Sequence, residues 1–212
     1  MLNKGLIEAA ETGDWSKIDL SKITKEMVSE IEEKDNRNIF HIAAANWHLD
    51  KIPKSLWDNE LLLKTDKSAS TVLHLAILRQ QLNDIPKELL TKENLIKRNS
   101  NGWTVLAHIG THYSLRVLPE ELLTEEVLTH NNSCCLTLIL RNLQISRDDG
   151  LKELLNDNIK IILTRLSKEG LKSSSENCSD KDIKPQMVTY ITKELTKRNL
   201  IEKVKDTNYI EI

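Results

Sequence analysis

Cysteine is scarce: the chain has three in 212 residues, and two of them, Cys134 and Cys135, are adjacent. Such a set makes no disulfide framework and fits a reducing compartment. No apolar run approaches the roughly 18 residues that a membrane-spanning helix needs. The first residues, Met1-Leu2-Asn3-Lys4-Gly5-Leu6-Ile7-Glu8, lack the apolar core of a signal peptide. Net charge is only −2, so no bulk field draws the chain to nucleic acid or an anionic membrane. No Gly-x-Ser-x-Gly, phosphate-loop, His-Glu-x-x-His or paired-carboxylate motif occurs. These absences predict a cytoplasmic, non-catalytic chain with no metal and no cofactor.

Glycine (6) and proline (4) are also few, yet three of the prolines are evenly placed. Pro53, Pro86 and Pro119 are each 33 residues apart, as are His41 and His74, and Thr71, Thr104 and Thr137. A fixed period of this size predicts a mainly α-helical solenoid, here of four to five repeats over residues 1–146. The hydrophobic fraction of 39% and charged fraction of 29% are those of a soluble globular chain.

Each repeat reads as turn, short helix, tight connection and longer helix. A first helix carries Leu6, Ala9 and Ala10 and stops at Gly13, which can take positive φ. Asn38–Ala44, Thr71–Ile77 and Thr104–Ile109 are the next first helices, and Thr137-Leu138-Ile139-Leu140 begins a fifth. The second helices follow Leu49, Leu82 and Leu115. Leu56, Trp57, Leu61, Leu62 and Leu63 are the apolar positions of the earliest of these. Proline suits the first turn of a helix, where its missing N–H costs nothing. Thr91 and Thr124 are expected N-caps of a further helical turn.

The segments Asn38-Ile39-Phe40-His41 with Ala43-Ala44, Thr71-Val72-Leu73-His74 with Ala76, and Thr104-Val105-Leu106-Ala107 resemble the ankyrin repeat over residues 5–146. The departures are specific. The family's proline after threonine is missing, and the glycine between the two helices survives only as Gly13. Trp47, Gln80 and Tyr113 stand in the matching places. A bulky residue is costly at φ > 0, so an altered connection is expected there. His41 and His74 are expected to satisfy backbone groups of neighbouring turns. Trp15, Trp47 and Trp57 are read as packing residues. His108 and His112 are four apart but have no third ligand, so they are read as packing and surface.

The resemblance implies a concave surface that binds another protein. It is built from turn tips (Lys34, Asp35, Arg37; Lys67, Ser68, Ser70; Ser100, Asn101, Trp103) and helix ends (Ala45, Asn46; Leu78, Arg79; Thr111, His112). Arg37, Ser70 and Trp103 share one register, and Asn46, Arg79 and His112 another. Side chains there differ from repeat to repeat, as contact positions are free to do. The candidate partner-binding set is Arg37, Asn46, Ser70, Arg79, Asn101, Trp103 and His112. A stand-alone module of this kind suits an inhibitor from a phage or pathogen that blocks a host factor.

A second domain, residues 147–212, follows the polar run Ser146-Arg147-Asp148-Asp149-Gly150. Leu151–Leu166 is helical by spacing, and Lys172–Asp182 is polar and serine-rich, which predicts a loop or a poorly ordered stretch. A helix from Pro185 carries Val188, Ile191 and Leu195. Leu200–Val204 and Tyr209–Ile212 then read as a strand hairpin. Helix, polar stop, Leu-Ile-Glu-Lys, turn and strand resemble the end of a winged-helix domain. That resemblance implies an alternative function, a DNA-binding transcription regulator. Gln186, Thr189, Tyr190 and Lys193 would contact DNA, with Lys203 or Lys205 on phosphates. Residues 151–212 hold 12 Lys or Arg against 10 Asp or Glu, little positive charge for a DNA binder.

Overall fold

The computed structural model describes residues 3–32, 34–130, 135–167, 170–171, 174, 178 and 181–197. Among these the chain is mainly α-helical, with isolated β-bridges and no strand. The expected hairpin of 200–204 and 209–212 lies outside the described residues, as do Lys203 and Lys205. The chain divides into two compact units, Met1–His108 and Ile109–Ile212. The division falls inside a helix. The polar run 146–150 instead links two helices that pack together within the second unit.

The helices are α1 (Lys4–Thr12), α2 (Lys25–Ser29), α3 (Ile39–Ala45), α4 (Asn59–Leu63), α5 (Val72–Leu78), α6 (Lys92–Ile96), α7 (Val105–His112), α8 (Glu125–Leu128), α9 (Cys135–Ile145), α10 (Asp149–Arg165) and α11 (Lys184–Lys197). The first residues of α3, α5 and α7 are 33 apart, and so are those of α4, α6 and α8. Short 3-10 turns keep the same interval at Leu49–Lys51, Leu82–Asp84 and Leu115–Val117, and again at Lys54–Leu56, Lys87–Leu89 and Glu120–Leu122.

The expected second helix is therefore split into two 3-10 turns and a short α-helix. Proline explains the split. Pro53, Pro86 and Pro119 sit immediately before the second 3-10 turn, at φ near −55°. Thr91 and Thr124 cap the α-helices that follow. Their hydroxyl oxygens accept from the backbone N–H of Asn94 (3.3 Å) and Val127 (3.4 Å).

In the first unit α1 packs on α3 and α3 on α5. The buried faces are Leu6, Ala9 and Ala10; Ile39, Phe40, Ala43 and Ala44; Val72, Leu73, Ala76 and Ile77. Small alanines on these faces leave room for Phe40 and the β-branched residues. Leu61 and Leu62 are buried as expected, whereas Leu56, Trp57 and Leu63 are only half-buried. Each large side chain fully buried contributes about 1.5–3 kcal/mol relative to exposure.

In the second unit α9, α10 and α11 pack on one another. Leu136, Ile139 and Leu140 of α9, Leu155, Ile159 and Ile162 of α10, Met187 and Ile191 of α11 and the preceding Ile183 are all buried. The buried stripe on α11 is thus Met187 and Ile191, the expected Val188 is half-buried, and the side chain of the expected Leu195 lies outside the described residues. Within residues 172–182 the described Ser174 and Cys178 are buried. Gly110 lets α7 and α9 approach closely, since a Cβ there would lie 2.7 Å from Cδ1 of Ile139.

Candidate partner-binding face

Two turn tips of the first unit, at Asp66 and Asn99, are nucleated by a side chain that replaces backbone partners. Oδ1 of Asp66 accepts from the N–H groups of Ser68 (2.8 Å) and Ser70 (2.9 Å). Oδ1 of Asn99 does the same, 33 residues on, for Asn101 and Trp103 (3.1 Å each). These are Asx turns, which fold the chain back locally. The tips are then tied in a row. Lys67 N–H donates to the Asp35 carbonyl (3.0 Å), and Ser100 N–H donates to that of Ser68 (2.9 Å). Asn36 Nδ2 donates to the Thr65 carbonyl (2.7 Å).

The two histidines complete this framework. Nε2 of His41 donates to the Ser70 carbonyl (3.2 Å), and Nε2 of His74 to that of Trp103 (3.1 Å). Their Nδ1 atoms accept from the backbone N–H of Asn38 (3.3 Å) and Thr71 (3.1 Å). Each ring thereby joins the start of its own helix to the next tip. Burial pushes the pKa of His41 down to about 4, against the opposing pull of the Ser70 carbonyl and Asp66. Burial lowers that of His74 as well.

The ends of α3 and α5 correct an expectation. Trp47 and Gln80 take φ of 62° and 60°, close to the 74° of Gly13, so the connection is kept and not altered. The reason lies in the backbone. His48 N–H donates to Ala43 (2.9 Å) and Trp47 N–H to Ala44 (3.4 Å). Gln81 N–H donates to Ala76 (2.8 Å) and Gln80 N–H to Ile77 (3.0 Å). Both are Schellman closures, whose left-handed position normally takes glycine. A side chain there costs about 1–2 kcal/mol, offset by the paired bonds and by burial of Leu49 and Leu82. Tyr113 does not follow them. Its N–H continues the helical pattern to Ile109 (2.7 Å), and its φ is not positive.

Gln81, which sequence reasoning passed over, is a buried bridge. Its Oε1 accepts from Leu49 N–H (3.1 Å), and its Nε2 donates to the Ala44 carbonyl (2.7 Å). The second unit meets the corresponding groups, 66 residues further on, with Asn158 of α10. Asn158 Oδ1 accepts from Leu115 N–H (2.8 Å), and Nδ2 donates to Gly110 (2.9 Å) and Tyr113 (2.8 Å).

A left-handed position carries its side chain off the helix end, and this exposes Trp47. The indole was expected to pack, yet the residue is 58% exposed, with the Arg79 guanidinium 4.6 Å from the ring centroid. Leu78 beside Arg79 is 50% exposed, and Asn46 and Gln80 are exposed too. Of the other tryptophans, Trp57 stands edge-on to Phe40 at 5.1 Å, and Trp15 is half-buried.

The expected contact residues divide. Arg79 and Asn46 belong to this exposed end, and Asn46 Nδ2 donates to the Ile42 carbonyl (2.9 Å). Asn101 is exposed at its tip. Arg37 is half-exposed and lies 3.8 Å from Asp35 and 4.0 Å from Asp66. Trp103 is half-buried, its ring tilted on His108 at 4.7 Å, and His108 stands edge-on to His74. Ser70 is buried, because its N–H and carbonyl both serve the tip.

His112 is exposed in the second unit, 2.9 Å from the Thr111 hydroxyl. On α11, Thr189 and Lys193 are exposed, Gln186 is half-buried, and the Tyr190 hydroxyl donates to Asn156 (3.2 Å). Among the described residues no group of three His, Cys, Asp or Glu could hold a metal ion, and no helix is long and apolar enough to cross a membrane. No family model, curated protein or solved structure matches the chain.

Proposed function

We propose that the chain is a solenoid of four to five ankyrin-like repeats and acts as a non-catalytic protein-binding module. The 33-residue recurrence of helices and 3-10 turns supports the repeat reading. The observation that carries the functional reading is the exposed Trp47–Arg79 pair beside exposed Leu78. Tryptophan and arginine dominate binding hot spots, at about 2 kcal/mol or more each. The mechanism is occupancy. Tips held by backbone hydrogen bonds lose little ordering entropy when a partner settles on them. A partner blocked in this way suits an inhibitor of phage or pathogen origin working in the cytoplasm of the producing or a host cell.

Affinity capture from source-cell lysate tests this, with and without nuclease. The baits are the intact chain and a Trp47→Gly/Arg79→Gln variant of matched stability. The expected result is a protein held by the intact chain, lost with the variant and indifferent to nuclease. Capture that survives the variant but disappears with nuclease would move the function to nucleic acid and to Gln186, Thr189 and Lys193.

A further inference from the structure

We infer that the Trp47–Arg79 pair recognises a carboxylate, an Asp or Glu side chain set beside a large apolar residue on the partner protein. This rests on the protein-binding reading above. Three observations carry it. Trp47 occupies a left-handed backbone position that glycine fills at Gly13, and its indole remains largely in solvent. Gln80 fills the matching position with an exposed amide, so the fold does not require an aromatic there, and an indole left in solvent points to a task outside the fold. Arg79 has no carboxylate within ion-pair distance among the described residues, and its guanidinium lies on the indole face. By contrast, Arg37 already has Asp35 and Asp66 beside it, and Lys25 has Asp58 and Glu60.

A guanidinium lying over an aromatic ring is held in place while the N–H groups at its edge stay available. That edge matches a carboxylate in a two-bond fork, which an ammonium cannot reproduce. The exposed Leu78 and the rest of the indole offer an apolar surface next to the cation. Charge complementarity therefore selects an acidic segment, and the apolar surface selects its neighbour.

The test is selection from a phage-displayed library of random linear peptides on the full-length chain, with affinities of recovered peptides measured by fluorescence anisotropy. Selected peptides are expected to place Asp or Glu beside Leu, Ile, Phe, Trp or Met. Arg79→Gln and Trp47→Gly should each weaken them by about thirtyfold, and Arg79→Lys should restore little. Binding should also weaken with added salt. Trp47→Gly separates recognition from folding, because glycine suits the left-handed position and should leave the thermal midpoint equal or higher.

Peptides without acidic enrichment that are still lost on Trp47→Gly would overturn the carboxylate assignment and leave the binding face standing. Peptides indifferent to Trp47, Leu78 and Arg79 variants, or no peptides at all, would count against both. Binding of a single-stranded oligothymidine through Trp47, with no acidic peptide selected, would overturn the assignment in favour of base stacking.

Discussion

Gln81→Met is the most informative single change in the first unit. Methionine nearly preserves volume, so it removes two hydrogen bonds without opening a large cavity. It leaves Leu49 N–H and the Ala44 carbonyl facing a thioether in a buried position. Each buried backbone group left without a partner costs about 1–3 kcal/mol. The Ala44 carbonyl keeps its Schellman bond from Trp47, so its share falls at the low end. The expected loss is about 2–4 kcal/mol, read from urea denaturation with an unchanged slope. Gln81→Ala should cost about 1 kcal/mol more, through the cavity. A loss under about 0.5 kcal/mol for Gln81→Met would refute the claim that this amide clamps the end of α3.

Asn158→Leu should likewise cost about 3 kcal/mol in the denaturation of the second unit, because two buried bonds and one part-buried bond disappear together. Gly102→Ala should lose about 1 kcal/mol, while Ala69→Gly should be neutral or gain up to about 1 kcal/mol. The two positions have φ of 78° and 53°, and nothing lies within 4 Å of a Cβ at Gly102, so backbone conformation alone sets its sign. Equal responses from the two variants in thermal melts would contradict this. His41 has a pKa of about 4 when folded and 6.5 in its ordinary state, so the unfolded chain binds more protons between those values. Stability should be complete above the upper value and fall by about 3 kcal/mol as pH drops through the window. His74 acts in the same direction. Denaturation midpoints across the window check the sign, and a His41→Gln variant should flatten the curve.

What was legible in the sequence was local and periodic. The caps at Thr91 and Thr124 and the stop at Gly13 follow from residue type, the apolar faces of α1, α3 and α5 from spacing, and the roles of His41 and His74 from the ankyrin resemblance. The further helical turn after Thr91 and Thr124 was expected, but the 3-10 form of the segments around each proline was hidden, because proline permits both an α-turn and a 3-10 turn after it. Gln81 and Asn158 were missed for a different reason. Their partners lie 32 to 48 residues away, and a polar side chain in a polar stretch reads as solvated.

Trp47 illustrates how register could have served better than residue type. An aromatic residue in a chain with few of them reads as core. Its alignment with Gly13, however, places it at the left-handed end of a helix, from which a side chain projects away from the packed face. Ser70 shows the reverse. Its register reads as contact surface, but the Asx turn at Asp66 draws its backbone groups inward. Register alone therefore does not establish exposure where a tip is folded by its own side chain.

The central claim is that partners bind at the tips and helix ends of the first unit. Backbone hydrogen exchange of the intact chain, with and without the partner recovered by capture, tests it most directly. The account predicts added protection at residues 44–48, 65–71 and 77–81, lost when Trp47→Gly/Arg79→Gln replaces the intact chain. Protection confined to α10 and α11, with those segments unchanged, would contradict it.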